Sequence, residues 1–261
     1  MEHSIDQLKN NQLTSWSMKG VMFSEFNERH ADQFLAALEA NTNIREIVLQ
    51  GPAYEQHLFY NRDNCRRLFG AITRLPAVES LEIVSGCSLE KEDVLAIMGL
   101  QPLHRLVLKN CIRILSHHVP LMFQMALQKH PSLTHVEIRN IYMVGYAAGI
   151  EGSIPRLDPI LDALASIPHL EHAVLSCTAG TLYSYRGPLH SAKCMAKLAK
   201  KSSLKSFKAE NLRITDKDLG FIAKNLGPNL ESLRLSLYHP DESHEKVGTG
   251  LYDLVQQALN P

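Results

Sequence analysis

One hydrophobic phrase recurs along this chain: an apolar residue, two variable residues, a second apolar residue, one variable residue and a third apolar residue. It begins in degenerate form at Leu13, Trp16 and Met18, and continues at Ile44, Ile47 and Leu49; Val78, Leu81 and Ile83; and Leu103, Leu106 and Leu108. Leu133, Val136 and Ile138; Leu170, Ala173 and Leu175; Leu204, Phe207 and Ala209; and Leu230, Leu233 and Leu235 complete eight copies. The step from copy to copy averages about 31 residues, a period that belongs to solenoids. The last three positions of the phrase alternate apolar, variable, apolar, as a short half-buried strand requires.

A second pattern runs in step with the first. Apolar residues at i, i+3, i+4 and i+7 recur between the phrases: Ala31, Phe34, Leu35 and Leu38; Cys65, Leu68, Phe69 and Ile72; Val119, Met122, Phe123 and Ala126. Leu157, Ile160, Leu161 and Leu164, then Leu219, Ile222, Ala223 and Leu226, repeat it. This is the stripe of an amphipathic helix. Ser116 reads as an N-cap, and Thr215 with Asp218 as a capping box. A helix between every two strands makes the strands parallel. Leu106 and Leu233, at the centre of their phrases, are expected to be fully buried between sheet and helices.

The segments ENLRITDKDLGFIAKNLGPNLESLRLS (210–236) and FLAALEANTNIREIVLQG (34–51) resemble the ribonuclease-inhibitor-like subclass of leucine-rich repeats. The resemblance covers roughly residues 10–261. It implies an α/β fold: a right-handed α/β horseshoe of about eight irregular repeats, a parallel sheet on the concave face and helices outside. The chain departs from the usual pattern after the strand, where Asn or Cys is normal. Cys111 and Cys87 fit, whereas Pro52, Ile141, Thr178, Leu212 and Tyr238 stand there in other copies. The expected organisation is a single domain. Residues 1–12 form an N-terminal cap, 13–243 the repeats and 244–261 a capping helix with a stripe at Leu251, Leu254, Val255 and Ala258.

Length variation is one-sided. Leu38 to Ile44, Ile72 to Val78, Leu164 to Leu170 and Leu198 to Leu204 are each six residues, whereas strand-to-helix intervals range from 15 residues (Leu204 to Leu219) to 24 (Leu133 to Leu157). Insertions therefore fall on one rim, which in repeat proteins is often the binding face. Seven of the eight tyrosines lie in the long loops: Tyr54, Tyr60, Tyr142, Tyr146, Tyr183, Tyr185 and Tyr238. Tyrosine offers large contact area at low entropic cost. Tyr142, Tyr146, Tyr183, Tyr185 and Arg186, from neighbouring copies, form one candidate partner-binding patch. They could equally pack as small cores under their own loops. The second candidate is the concave face, where the variable strand positions Arg105, Val107, Lys109, His135, Glu137, Arg139, Lys208, Glu210 and Arg234 point. It too has a plain alternative, a solvated sheet face.

Charge narrows the partners. Lys+Arg and Asp+Glu both number 27, so the formal net charge is zero. That argues against nucleic acid or an anionic membrane, both of which demand a basic excess. No run approaches the roughly 18 apolar residues of a membrane-spanning helix. The five cysteines follow no CxxC spacing and mostly adjoin apolar repeat positions, the pattern of reduced thiols in a cytoplasmic protein. The sequence contains no phosphate-binding glycine loop, G-x-S-x-G elbow or H-E-x-x-H pair. His117 and His118 are adjacent and diverge on a helix, so no metal is expected there. Cys111 and Cys177 read as structural thiols rather than nucleophiles. These features point to a monomeric, non-catalytic protein-binding module without a cofactor. The alternative is a leucine-rich-repeat regulator of an enzyme, such as a small-GTPase activator that presents Arg105, Arg139 or Arg186 to a nucleotide.

Overall fold

A computed structural model of the protein describes residues 2–19, 27–50, 62–84, 96–97, 99–100, 102–111, 113–114, 127, 130–143, 157–177, 192–212 and 216–237. The helix stripe at Val119, Met122, Phe123 and Ala126, the caps Ser116 and Thr215, and the C-terminal stripe lie outside these residues. The chain divides into two compact units, Met1–Ile112 and Arg113–Pro261.

In the first unit, four strands follow one another in parallel: β1 (Ser15–Lys19), β2 (Glu46–Gln50), β3 (Ser80–Val84) and β4 (Arg105–Lys109). The register stacks Trp16, Ile47, Leu81 and Leu106 in one row and Met18, Leu49, Ile83 and Leu108 in the next. The middle and last positions of the sequence phrase thus become two continuous apolar rows. The helices are α1 (Glu2–Lys9), α2 (Glu28–Glu39) and α3 (Arg62–Ile72). Asn27 caps α2 by accepting the His30 N–H at 2.9 Å, which satisfies one donor of the first turn. The stripe of α2, Ala31, Phe34, Leu35 and Leu38, is buried, and the Phe34 ring meets Trp16 of β1 at a centroid separation of 5.3 Å.

The second unit repeats the plan. β6 (His135–Met143), β7 (His172–Cys177), β8 (Ser206–Leu212) and β9 (Ser232–Leu237) are parallel neighbours, and the two-residue β5 (Arg113–Ile114) pairs with Tyr142 and Met143 at the end of β6. Val136, Ala173, Phe207 and Leu233 form one row and Ile138, Leu175, Ala209 and Leu235 the other. The helices are α4 (Asp158–Ser166), α5 (Ala192–Ala199) and α6 (Asp216–Ala223). Pro159 sits in the first turn of α4, where a missing N–H costs nothing. Each unit is an α/β solenoid in which parallel strands alternate with helices.

The constant six-residue spacing has a backbone cause. In each connector an N–H three residues after a buried residue at the helix end returns to that residue's carbonyl: Asn41 to Leu38, Leu75 to Ile72, Leu100 to Ile97, His130 to Leu127, Ile167 to Leu164 and Lys201 to Leu198. The carbonyl just ahead of each strand then accepts two N–H groups from the next repeat. Arg45 O takes Glu79 and Ser80, Glu79 O takes His104 and Arg105, Glu171 O takes Lys205 and Ser206, and Lys205 O takes Glu231 and Ser232. Ile97, buried, extends the rule to a copy where no helix stripe was assigned, and Leu127, also buried, places its copy's spacing one residue beyond the assigned stripe, which ends at Ala126.

The last described repeat breaks the spacing. Asn225 N–H returns to Ile222 O, so this connector is two residues longer, and Leu226 lies beyond the end of α6 rather than in its stripe. Gly227 absorbs the excess by pressing on the previous connector. Its N–H donates to Ala199 O at 2.8 Å. An added Cβ would stand 3.0 Å from that oxygen and 2.9 Å from Lys201 O.

Two features were not foreseen. Residues 2–9 are a helix with Ile5 and Leu8 buried; the fully buried Asn41 joins it to the first repeat by donating Nδ2–H to Leu8 O at 2.9 Å. A stripe of two apolar residues is too short to declare itself in sequence. Leu106 is fully buried as expected, but Leu233 is only half-buried, as are Leu230 and Leu235. β9 is the last strand described, so among the described residues its inward side chains are covered by a repeat on one side only.

Leu106→Ala should therefore cost about 2–5 kcal/mol in urea denaturation, and Leu233→Ala should cost less. A Leu106 loss under about 0.5 kcal/mol would contradict the register. Gly227→Ala should also destabilise, by about 1–3 kcal/mol, because the clash is with backbone that cannot rotate away.

Candidate functional site

Alternation along each strand sends the phrase residues into the core and their neighbours to the opposite, open face. In the first unit the open face carries Glu46, Val48 and Gln50 from β2, Ser80, Glu82 and Val84 from β3, and Arg105, Val107 and Lys109 from β4. Arg105 Nη1 reaches Glu82 Oε2 on the adjacent strand at 3.2 Å. Lys109 is half-buried with no ion pair among the described residues. Val107 is buried although it stands on this face.

The second unit holds the denser cluster. His135, Glu137 and Arg139 lie two residues apart on β6 and so share the open face. Glu137 receives both neighbours: His135 Nε2 lies 2.7 Å from Oε1 and Arg139 Nε lies 2.5 Å from Oε2. Only 13% of the Glu137 side chain is exposed. The His135 hydrogen bond, with Arg139 behind it, outweighs desolvation and holds the carboxyl at a pKa of about 2. The His172 ring, on the neighbouring strand in register with His135, lies 5.5 Å from the His135 ring. On β8, Lys208 Nζ pairs with Glu210 Oε1 at 2.8 Å, and Arg234 of β9 stands directly across from Lys208.

β6 ends in an irregularity that shapes this face. Asn140 adopts φ 53°, a left-handed conformation that asparagine tolerates better than most residues. The register shifts between Ile138 and Ile141, which turns Ile141 into the core. The buried Ser176 Oγ of β7 accepts the Asn140 N–H at 2.9 Å. Asn110, after β4, has φ 57° and is followed by the buried Cys111, whose Sγ donates to Ile83 O of the preceding repeat at 3.6 Å. Ile141 and Cys111 thus show two solutions at the same post-strand position, one purely apolar and one with a hydrogen bond back along the stack.

At the opposite ends of the strands, residues ahead of β7, β8 and β9 make a polar edge. Lys205 Nζ pairs with Glu171 Oε2 at 2.7 Å, and an open groove of about 440 Å³ is lined by Glu171, Ser203, Lys205, Asn229 and Glu231, among others. Sequence reading passed over this edge because its residues are ordinary connector positions. It also passed over His172, although His172 occupies in copy six the place of His135 in copy five.

Of the expected site residues, the structure brings His135, Glu137 and Arg139 together in the second unit and sets Arg105 and Lys109 on β4 in the first. Tyr142 is described only through its backbone pairing with Arg113. Tyr146, Tyr183, Tyr185 and Arg186 lie outside the described residues, as do Tyr54, Tyr60 and Tyr238, so the rim patch is not described. His117 and His118 also lie outside them. Cys111, Cys177 and Cys194 are reduced thiols. Burial pushes the first two up to about 12; burial, with the carboxylates of Asp158 and Asp162 beside it, does the same to Cys194. The shift favours the protonated thiol over the thiolate. No helix among the described residues is long and apolar enough to cross a membrane.

No protein-family model matches the chain, and no curated protein matches it significantly. Among solved structures it is similar to the C-terminal domain of a Caenorhabditis elegans tropomodulin, at 18% identity over 56% of this chain and 83% of that one, with a TM-score of 0.42. It is similar to a Bacteroides fragilis protein at 15% identity over 90% of this chain and 70% of that one, TM-score 0.45. It is also similar to actin-binding site 2 of leiomodin-1 at 14% identity, over 66% and 77% of the two chains, TM-score 0.30. It is the parallel pairing of the strands, not these likenesses, that defines the fold.

Glu137 gives a pH test. Its folded pKa of about 2 is below the unfolded carboxylate value near 4.3, so its contribution is present above that value and is lost as pH falls towards 2. Glu137→Gln should destabilise at neutral pH, and the gap to wild type should close between about pH 4.3 and pH 2. Urea titrations across that range measure it. A gap independent of pH would mean that the carboxylate is not held as described.

Proposed function

We propose that this protein is a non-catalytic recognition module that binds another protein on the open face of its strands. In this reading it is a cytoplasmic monomer of the ribonuclease-inhibitor-like subclass. The observation that carries the reading is the His135–Glu137–Arg139 cluster with Lys208 and Glu210 beside it. These groups are partly buried on the face opposite the apolar rows, and each is already oriented by a partner within that face. Groups ordered before binding lose little entropy when a partner arrives, and a face of mixed sign selects its partner by electrostatic complementarity more than by area. Arg105 and Lys109 supply the same kind of surface in the first unit. Tyr142, expected in a loop, instead lies within the end of β6, whereas Tyr146, Tyr183, Tyr185 and Arg186 follow β6 and β7 in the sequence; in this reading all five extend the contact at the strand ends.

The activator reading has less support. It needs an arginine delivered to a nucleotide; Arg105 and Arg139 are each paired to a carboxylate of the protein, Glu82 and Glu137, and Arg186 lies outside the described residues. A nucleotide-hydrolysis assay with candidate small GTPases distinguishes it: acceleration that Arg139→Ala abolishes would replace the binding-module reading.

The direct test is capture of partners from the native cell on immobilised protein, followed by affinity measurement with the purified partner. Arg139→Ala, and separately Tyr183→Ala and Tyr185→Ala, should weaken binding by about 2 kcal/mol where the residue is an anchor, with melting temperature little changed. A partner whose affinity is indifferent to Arg139, Lys208 and Glu210 alike would remove the open face from the proposal. Tyrosine variants that melt early and bind normally once folded would assign the rim to scaffolding.

A further inference from the structure

The arrangement of charges within the second unit also says what kind of partner surface fits it. The open face of β6 to β9 carries the cations Arg139, Lys208 and Arg234 and the carboxylates Glu137 and Glu210, one more cation than carboxylates. The carboxylates are engaged within the face. Both oxygens of Glu137 take donors from His135 and Arg139, and Glu210 takes Lys208. The donors are not exhausted. Arg139 uses its Nε and retains the two-nitrogen fork of its guanidinium, and Lys208 has three ammonium hydrogens for one acceptor. Arg234 is exposed and makes no ion pair among the described residues.

The cross-strand register adds an independent observation. Lys208 and Arg234 are direct partners on adjacent parallel strands, and like charges facing each other across a sheet destabilise it. The carboxylate on this face of the two strands, Glu210, pairs with Lys208. A carboxylate arriving from outside would relieve this repulsion and occupy the spare donors at the same time.

We propose that this face takes an acidic polypeptide segment, its carboxylates seated on Lys208 and Arg234 and on the outer nitrogens of Arg139. The inference rests on the binding-module reading and specifies the chemistry of its partner. Spacing favours a chain over a single small anion. Neighbouring strands are about 4.8 Å apart, so β6 and β9 are separated by about 14 Å, which is several residues of an extended segment lying across the strands. A nucleic acid fits less well, because its affinity comes from many phosphates neutralised by many cations, and this face has a surplus of one.

The probe is a fluorescent glutamate-rich peptide, compared with its glutamine counterpart, a lysine-rich peptide and a single-stranded oligonucleotide of equal charge, by anisotropy at low and moderate salt. The glutamate peptide should bind and the glutamine peptide should not, with affinity falling as salt rises. Arg234→Gln and Lys208→Gln should each weaken binding by about tenfold or more. Lys197→Gln, on the helix side where Lys197 pairs with Asp162, should leave it unchanged and so serves as the control for bulk charge. Circular dichroism melts of each variant confirm folding, and Arg234→Lys should restore binding in part. Equal binding of glutamine and glutamate peptides, equal or tighter binding of the oligonucleotide, or equal loss with Lys197→Gln would each overturn the proposal. If the glutamate peptide fails while Arg139→Ala still abolishes capture of a cellular partner, the acidic-segment inference falls and the binding-module reading stands. If open-face variants affect neither, both fall.

Discussion

The carbonyl immediately ahead of each strand accepts two N–H groups from the following repeat, and the geometry of both units depends on that bifurcated contact. It aligns neighbouring strands, so that phrase position stacks on phrase position without slippage. A shift of one residue would send Trp16, Ile47, Leu81 and Leu106 to the solvent side together. The apolar rows and the backbone ladder enforce each other, because the hydrophobic gain is available in only one register and the ladder closes in only that register. Hence the helix-to-strand side tolerates so little variation in length. The one described exception, the two extra residues ahead of β9, requires a glycine pressed against the carbonyls of the preceding connector.

The same register governs the open face. Once the inward rows are stacked, the residues between them are arranged in rows of their own, and their chemistry is set by what lies across and two residues along. His135, Glu137 and Arg139 become a hydrogen-bonded group because alternate residues of a strand share a face. Lys208 and Arg234 oppose each other because β8 and β9 pair in register. Partly exposed ion pairs such as Lys208–Glu210 add little to stability. Their consequence here is order: half-buried side chains hold fixed directions on the face opposite the apolar rows.

The post-strand position shows how irregular repeats remain compatible. Cys111 closes its turn with a thiol bonded to the carbonyl of Ile83, whereas at the corresponding point of β6 the left-handed Asn140 makes a bulge, Ile141 fills the core and Ser176 takes up the N–H that the bulge exposes. Different residues satisfy the same two demands, an apolar plug and a partner for the backbone. Departures from a repeat consensus can therefore leave the fold intact.

The sequence by itself determined the repeat, all eight strands, their parallel order and most of the buried helix positions, because each depends on a local period that side-chain polarity reveals directly. It also marked Arg105, Lys109, His135, Glu137 and Arg139 as sharing one side of their strands, since alternation is a local property. Only the tertiary structure decided what those residues meet. That His172 stands beside His135, that Arg234 faces Lys208 and that Gly227 touches the connector one repeat earlier are all consequences of pairing between segments 26–37 residues apart. The half-burial of Leu233 belongs there too: its place in the phrase equals that of Leu106, and the difference comes from the number of described repeats that cover it. Periodicity is written along the chain, whereas neighbourhood is created by stacking.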